Sequence, residues 1–125
     1  MATYISWFSD IGLDDRPAVG GKGGSLGELQ RAGIDVPPGF VVRTPAFEEF
    51  IGALERHAPV RARVADLAAD DLEGIAAAAR ELRARFEAEP LPADLEREVR
   101  SAYATLAAEG RAAAVAVRSS AARVA

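Results

Sequence analysis

The feature that most constrains this chain is a run of glycines around its only lysine, Gly20-Gly21-Lys22-Gly23-Gly24. Glycine lacks a Cβ atom, so its backbone can be approached closely and adopts turns that other residues avoid. The preceding run Tyr4–Phe8 is rich in β-favouring residues and predicts a short strand. Ser25 and Glu28 match the capping box of a helix that we expect to end near Ala32. The glycine run is therefore predicted to be a loop between a strand and a helix.

Lys22 stands out because the other fourteen of the fifteen basic residues are arginine. A glycine-rich loop before a helix suits a phosphate group, since unhindered backbone N–H groups and the helix dipole converge there and a lysine adds a full positive charge. The spacing excludes a Walker A loop, because Gly23 follows Lys22 where Ser or Thr is required, and no glycine trio fits a dinucleotide fold. A solvated turn with an exposed lysine remains the alternative interpretation.

A second candidate site lies near the end of the sequence. Ala114–Val117 predicts a short apolar strand, which would deliver Arg118, Ser119 and Ser120 at its end. A guanidinium group clamps phosphate oxygens in a bidentate manner, and two adjacent hydroxyls can donate to the same anion. The alternative is a surface arginine on a frayed terminus.

The rest of the chain predicts a mixture of short strands and amphipathic helices. Phe40–Val42 is typical of a strand, and Thr44 begins a helix. Apolar residues at helical spacing then mark three helical faces: Phe47, Phe50, Ile51 and Leu54; Ile75, Ala79, Leu82 and Phe86; and Leu95, Val99, Ala102 and Leu106. The second helix is predicted to begin at a cap by Asp70, and the third to end near Gly110. About four helices with few short strands indicate the α/β (α+β) class.

Composition limits the partners. With 125 residues the chain is long enough for one modest domain, and we expect residues 1–125 to form part of a single domain. Its net charge of -4 argues against binding to nucleic acid, which needs a concentrated basic surface. The absence of cysteine excludes disulfides and thiolate metal sites. No run approaches the ~20 apolar residues of a membrane span, so we expect a cytoplasmic protein with no membrane partner.

Two blocks of the sequence resemble a known family. GGKGGSLGEL at positions 20–29, followed by GIDVPPGFVV at 33–42, closely resembles the opening of the N-terminal ATP-binding domain in phosphoenolpyruvate synthases, pyruvate phosphate dikinases and rifampin phosphotransferases. VAVRSSA at positions 115–121 resembles a second block of the same domain. The order and separation of the blocks agree with the family, and the resemblance is weakest in the alanine-rich middle of the chain.

The resemblance implies part of an ATP-grasp-like fold, in which ATP lies between subdomains and its phosphates meet Lys22 and Arg118. It also implies that the nucleotide is the partner. The other residues that we assign to the ATP phosphate site are Gly21, Gly23, Gly24, Ser119 and Ser120. Mg²⁺ is implied as a second cofactor, with its ligands outside this chain, and we assign this chain no catalytic residue. Members of the family pass a phosphoryl group from ATP, through a histidine on a separate domain, to pyruvate or rifampin.

The sequence departs from the family after Ala121, where an acidic pair is usual and Ala122-Arg123-Val124-Ala125 stands instead. We therefore expect an incomplete ATP site that is inactive as this chain and is completed by the remaining domains of the same enzyme, in the form of a separate chain. His57, the only histidine, is not in a matching motif, and we expect it to occupy a helix end. Two alternatives stay open: a small non-enzymatic module that binds an anion or nucleotide, and a fragment of a rifampin phosphotransferase.

Overall fold

The computed structural model describes residues 4–108 and 114–121. Short 3₁₀ turns at Phe8–Asp10 and Leu13–Asp15 follow the first strand. The strands and helices are β1 (Ile5–Trp7), α1 (Arg16–Arg31), β2 (Phe40–Val42), α2 (Thr44–Glu55), α3 (Arg61–Ala65), α4 (Leu72–Ala88) and α5 (Ala93–Ala108). They form two compact units, which are Met1–Phe47 with Ala93–Ala125, and Glu48–Pro92.

The two strands of the first unit pair in an antiparallel ladder. Ile5 lies opposite Val42, and Trp7 lies opposite Phe40. The rings of Trp7 and Phe40 meet edge to face with their centroids 5.2 Å apart, an arrangement that aromatic pairs favour. Both strands lie where the sequence predicts them. Together with the helices they confirm the α/β (α+β) class.

The structure corrects the prediction for the glycine run, which is helical rather than a loop. Helix α1 begins at Arg16, and only Gly20 leaves the helical conformation, with φ 79° and ψ 170°. The predicted capping box at Ser25 and Glu28 is therefore wrong, because both residues lie inside the helix. The predicted helix end near Ala32 is confirmed, because α1 ends at Arg31 and Gly33 has a positive φ of 87°.

Close packing explains why a segment with so many glycines is helical. Gly20, Gly23, Gly24 and Gly27 recur at helical spacing, and all four are buried. A Cβ atom on Gly27 would lie 2.5 Å from the carbonyl oxygen of Ile11, so no larger residue fits without a shift. The close approach of α1 to its neighbours offsets a helix propensity that is about 1 kcal/mol per glycine worse than that of alanine.

The third predicted helix is confirmed as α5, which buries Leu95, Ala102 and Leu106. The backbone N–H of Tyr4 donates to Glu98 Oε1 at 3.0 Å and so ties the start of β1 to this helix. The predicted helix end near Gly110 lies outside the described residues.

The predicted strand at Ala114–Val117 is wrong. This segment has no regular secondary structure, and Val117 is 91% exposed. A strand needs a neighbour to satisfy its backbone groups, and the one sheet in the described part of the chain consists of β1 and β2 alone.

The second unit is helical and has its own apolar core. Ile51, Leu54 and Val60 are buried together, and Phe50, Leu82 and Phe86 pack against them. Helix α4 is capped by Asp71, and the cap lies one residue later than predicted. The Oδ1 atom of Asp71 accepts the N–H of Gly74 at 3.0 Å.

Polar contacts hold the end of α2 in this unit. The guanidinium of Arg85 donates to the carbonyl oxygens of Leu54 at 2.8 Å and Ala58 at 2.7 Å. Glu55 Oε1 accepts the backbone N–H of Arg61 at 2.9 Å, and this hydrogen bond lowers the pKa of the Glu55 carboxyl.

Across residues 4–108 and 114–121, no helix is long and apolar enough to cross a bilayer.

Candidate phosphate-binding site

The candidate site is built at the break in α1. Because Gly20 is not helical, the helix restarts at Gly21, and the N-terminal end of a helix lies inside the glycine run. Such an end carries backbone N–H groups without intrahelical partners and a partial positive charge. Lys22 lies in this first turn and is exposed. A Cβ atom on Gly21 would meet nothing within 4 Å, so this face of the turn is open.

The late sequence block lies directly against this helix start. Ser120 Oγ accepts the N–H of Gly23 at 3.0 Å and donates to the carbonyl oxygen of Val19 at 2.6 Å. The carbonyl oxygen of Ala121 accepts the N–H of Gly21 at 3.3 Å. The structure thus brings together two sequence blocks that are about 100 residues apart.

Arg118 and Ser119 reach the same region through the chain. Both are exposed. The Cα atom of Arg118 lies at most about 7 Å from that of Ser120, because two extended residues span no more than that. Arg118 is thus two residues from the hydroxyl that contacts the helix start at Gly21.

The glycines of the run divide into two groups. Gly23 and Gly24 are buried, and a Cβ atom on Gly23 would lie 3.1 Å from Val41 Cγ2. Gly23 allows β2 to approach α1, whereas Gly24 leaves room for the side chain of Arg16. Gly21 is exposed, but its N–H is bonded to Ala121. The groups left open to an anion are therefore mainly side chains, above all those of Lys22 and Arg118.

Sequence reasoning missed Arg16. It lines an open pocket of about 410 Å³ with Pro17, Gly21, Ser25 and Ala121, a volume in the range of small-molecule sites, ~300–1,000 Å³. Its Cγ lies 2.8 Å from where a Cβ on Gly24 would be, so its side chain runs along the helix. The sequence indicates a role for Arg16 only to a reader who knows that α1 begins at this residue, one turn before the break at Gly20.

Within the described ranges no three His, Cys, Asp or Glu side chains are close enough to share a metal ion. His57 follows the end of α2, as predicted. Its side chain is 70% exposed, and its Nε2 lies 3.4 Å from Glu89 Oε1.

Comparisons with known proteins identify the family of the chain. The family described as the pyruvate phosphate dikinase AMP/ATP-binding domain matches residues 16–123. The chain is 44% identical over 118 residues to a probable phosphoenolpyruvate synthase of Archaeoglobus fulgidus, covering 94% of this chain and 16% of that protein. It is 35% identical over 125 residues to a phosphoenolpyruvate synthase of Escherichia coli, with 94% and 15% covered.

The match spans both sequence blocks, the helix start that carries Lys22 and the segment that carries Arg118. The chain itself spans only about 16% of the length of such a relative. The predicted resemblance is confirmed, and the chain belongs to the pyruvate phosphate dikinase AMP/ATP-binding domain family.

Proposed function

We propose that this chain forms one wall of the ATP site of a phosphoenolpyruvate synthase-like phosphotransferase. The observation that carries the proposal is the pairing of Ser120 and Ala121 with the helix start at Gly21. This pairing holds the two segments that bear Lys22 and Arg118 against each other. Two cations at one helix N-terminus are suited to a polyphosphate, whose negative charge also interacts favourably with the helix dipole.

The residues contribute in different ways. Lys22 supplies a compact positive charge, and Arg118 a planar group that can bind two phosphate oxygens. Ser119 is exposed and can donate a hydrogen bond to the same anion. Gly21 leaves room for the phosphate, while the hydrogen bond from the N–H of Gly23 to Ser120 Oγ holds the two segments together.

The remaining parts of the site would come from other domains of the same enzyme, since the chain spans about 16% of a relative's length. The described residues contain no carboxylate cluster that fits Mg²⁺, so we propose that the ion is bound with ATP by those domains. Pyruvate is the proposed final acceptor of the phosphoryl group. The absence of cysteine is consistent with the cytoplasmic location that this function requires.

The proposal can be tested by joining this chain to the following part of the ATP-binding domain of the Archaeoglobus relative and measuring ATP affinity. Lys22→Ala and Arg118→Ala should each weaken binding by about 1.5–3 kcal/mol, the range for a hydrogen bond to a charged group. This corresponds to roughly 10- to 150-fold in Kd. The losses should be non-additive in the double variant, because both groups neutralise one anion.

Arg100→Ala is the matched control, since Arg100 pairs with Glu96 on the exposed side of α5. It removes one positive charge from the same unit without touching the site. We expect its ATP affinity to equal that of the unsubstituted protein. Equal affinity in Arg118→Ala and Arg100→Ala would show that the late block does not bind phosphate.

A further inference from the structure

Ser120 occupies the place of a helix cap for a helix far away in the sequence. The residue before the restart of α1 is Gly20, which has no side chain to cap with. A serine at that position would accept the N–H of the third helical residue. Ser120 makes this bond instead, because its Oγ accepts the N–H of Gly23 across a separation of 97 residues.

The same hydroxyl joins both sides of the helix break. It donates to the carbonyl oxygen of Val19, the last helical residue before Gly20. A Cβ atom on Gly20 would lie 2.5 Å from Ser120 Oγ, so this contact requires glycine at position 20. The hydroxyl has one donor, and that donor is already used within the protein.

From this geometry we propose that Ser120 is a positioning residue and not a phosphate ligand. Its hydroxyl fixes the helix start that carries Lys22 against the segment that carries Arg118. The expected effect of Ser120 on nucleotide binding rests on the proposed function. The capping of the helix start by Ser120 does not depend on that function. Ser119 is exposed and forms the natural comparison, because it has the same hydroxyl one residue earlier.

Amide hydrogen exchange, followed by NMR on the 125-residue chain, tests the cap. In Ser120→Ala the amide of Gly23 should exchange roughly three- to thirty-fold faster, the factor that corresponds to loss of an N-cap side chain. The amide of Ala102 in α5 should not change. Ser119→Ala should leave Gly23 unaffected, and Ser120→Thr, which keeps the hydroxyl, should retain its protection. Unchanged exchange of Gly23 in Ser120→Ala would overturn the proposal.

Calorimetric titration of the same variants with pyrophosphate separates positioning from direct binding. We expect Ser120→Ala to weaken pyrophosphate binding by a similar three- to thirty-fold and Ser120→Thr to restore it. Weaker binding with unchanged Gly23 exchange would make Ser120 a ligand, and tighter binding would make it a competitor of the anion. Either result overturns the proposal. If the unsubstituted chain binds no pyrophosphate, the proposed anion site fails in this chain, while the exchange of Gly23 still decides the cap.

Discussion

At the scale of single residues, the hydroxyl of Ser120 connects the helix start that carries Lys22 to the segment that carries Arg118. Lys22 and Arg118 were recognisable because each stands in a distinctive setting, one among glycines and the other before two serines. The role of Ser120 was not recognisable. Its partners Val19 and Gly23 are 101 and 97 residues away, and no local rule links positions so far apart.

Gly20 and Gly21 provide a residue-level test of the break in α1. Gly20→Ala should destabilise the fold by about 1–3 kcal/mol, because φ of 79° is strained for alanine and the new Cβ would collide with Ser120. Gly21→Ala should instead stabilise it by about 0.4–1 kcal/mol, since this position is helical and nothing lies within 4 Å. The midpoints of urea denaturation measure both effects.

The two glycine variants are matched controls for each other, because they add the same methyl group to adjacent residues. Opposite shifts of the denaturation midpoint are expected. A midpoint for Gly20→Ala equal to or above that of Gly21→Ala would contradict the break and the contact with Ser120.

At the scale of elements, propensity and packing disagreed at α1. Glycine is a poor helix former, so the run from Gly20 to Gly24 predicted a loop. The spacing of Gly20, Gly23, Gly24 and Gly27 nevertheless fits one helical face, and this pattern was present in the sequence. Its meaning depends on Ile11 and Val41 being close enough to need a surface without side chains, which is a tertiary fact.

Helix α5 is easier to predict because its periodicity matches burial, whereas Phe47, Ile75 and Ala79, which were predicted to lie on apolar faces of other helices, are exposed. Leu95, Ala102 and Leu106 lie on the buried face of α5, as their spacing indicates. The segment 114–117 shows the limit of the same reasoning. Alternation of alanine and valine predicts a strand, but a strand also needs a partner, and neither described strand pairs with it.

Arg85 allows a test of how α4 holds the end of α2. Arg85→Ala should lower the free energy of unfolding by about 1.5 kcal/mol, because the carbonyl of Leu54, in a part-buried contact, and the exposed carbonyl of Ala58 lose a charged donor. Arg85→Lys should recover only part of this loss, since a single ammonium cannot reproduce the planar fork of donors. Urea denaturation followed by circular dichroism measures both variants.

Arg83→Ala is the control, because Arg83 is an exposed arginine on the same helix. It should change the unfolding free energy by no more than ~0.5 kcal/mol. If Arg85→Ala and Arg83→Ala were equally stable, the guanidinium contacts at the end of α2 would contribute nothing.

At the scale of the whole molecule, the family resemblance and the proposed phosphate site coincide. The two blocks that carry the family resemblance also meet in space at the start of the helix from Gly21. The chain spans about 16% of the length of the Archaeoglobus relative. Family membership therefore follows from these residues.

The 125-residue chain by itself should not turn over ATP. Phosphoryl transfer needs metal ions that neutralise the developing charge and groups that position the nucleophile. The described residues supply neither a cluster of metal-binding side chains nor a histidine near the glycine run in sequence. Incubation of the purified chain with ATP labelled in the γ-phosphate, with Mg²⁺ present, should release phosphate at the rate of Lys22→Ala and label no histidine. Turnover above that rate would mean that these residues already form a complete catalytic site.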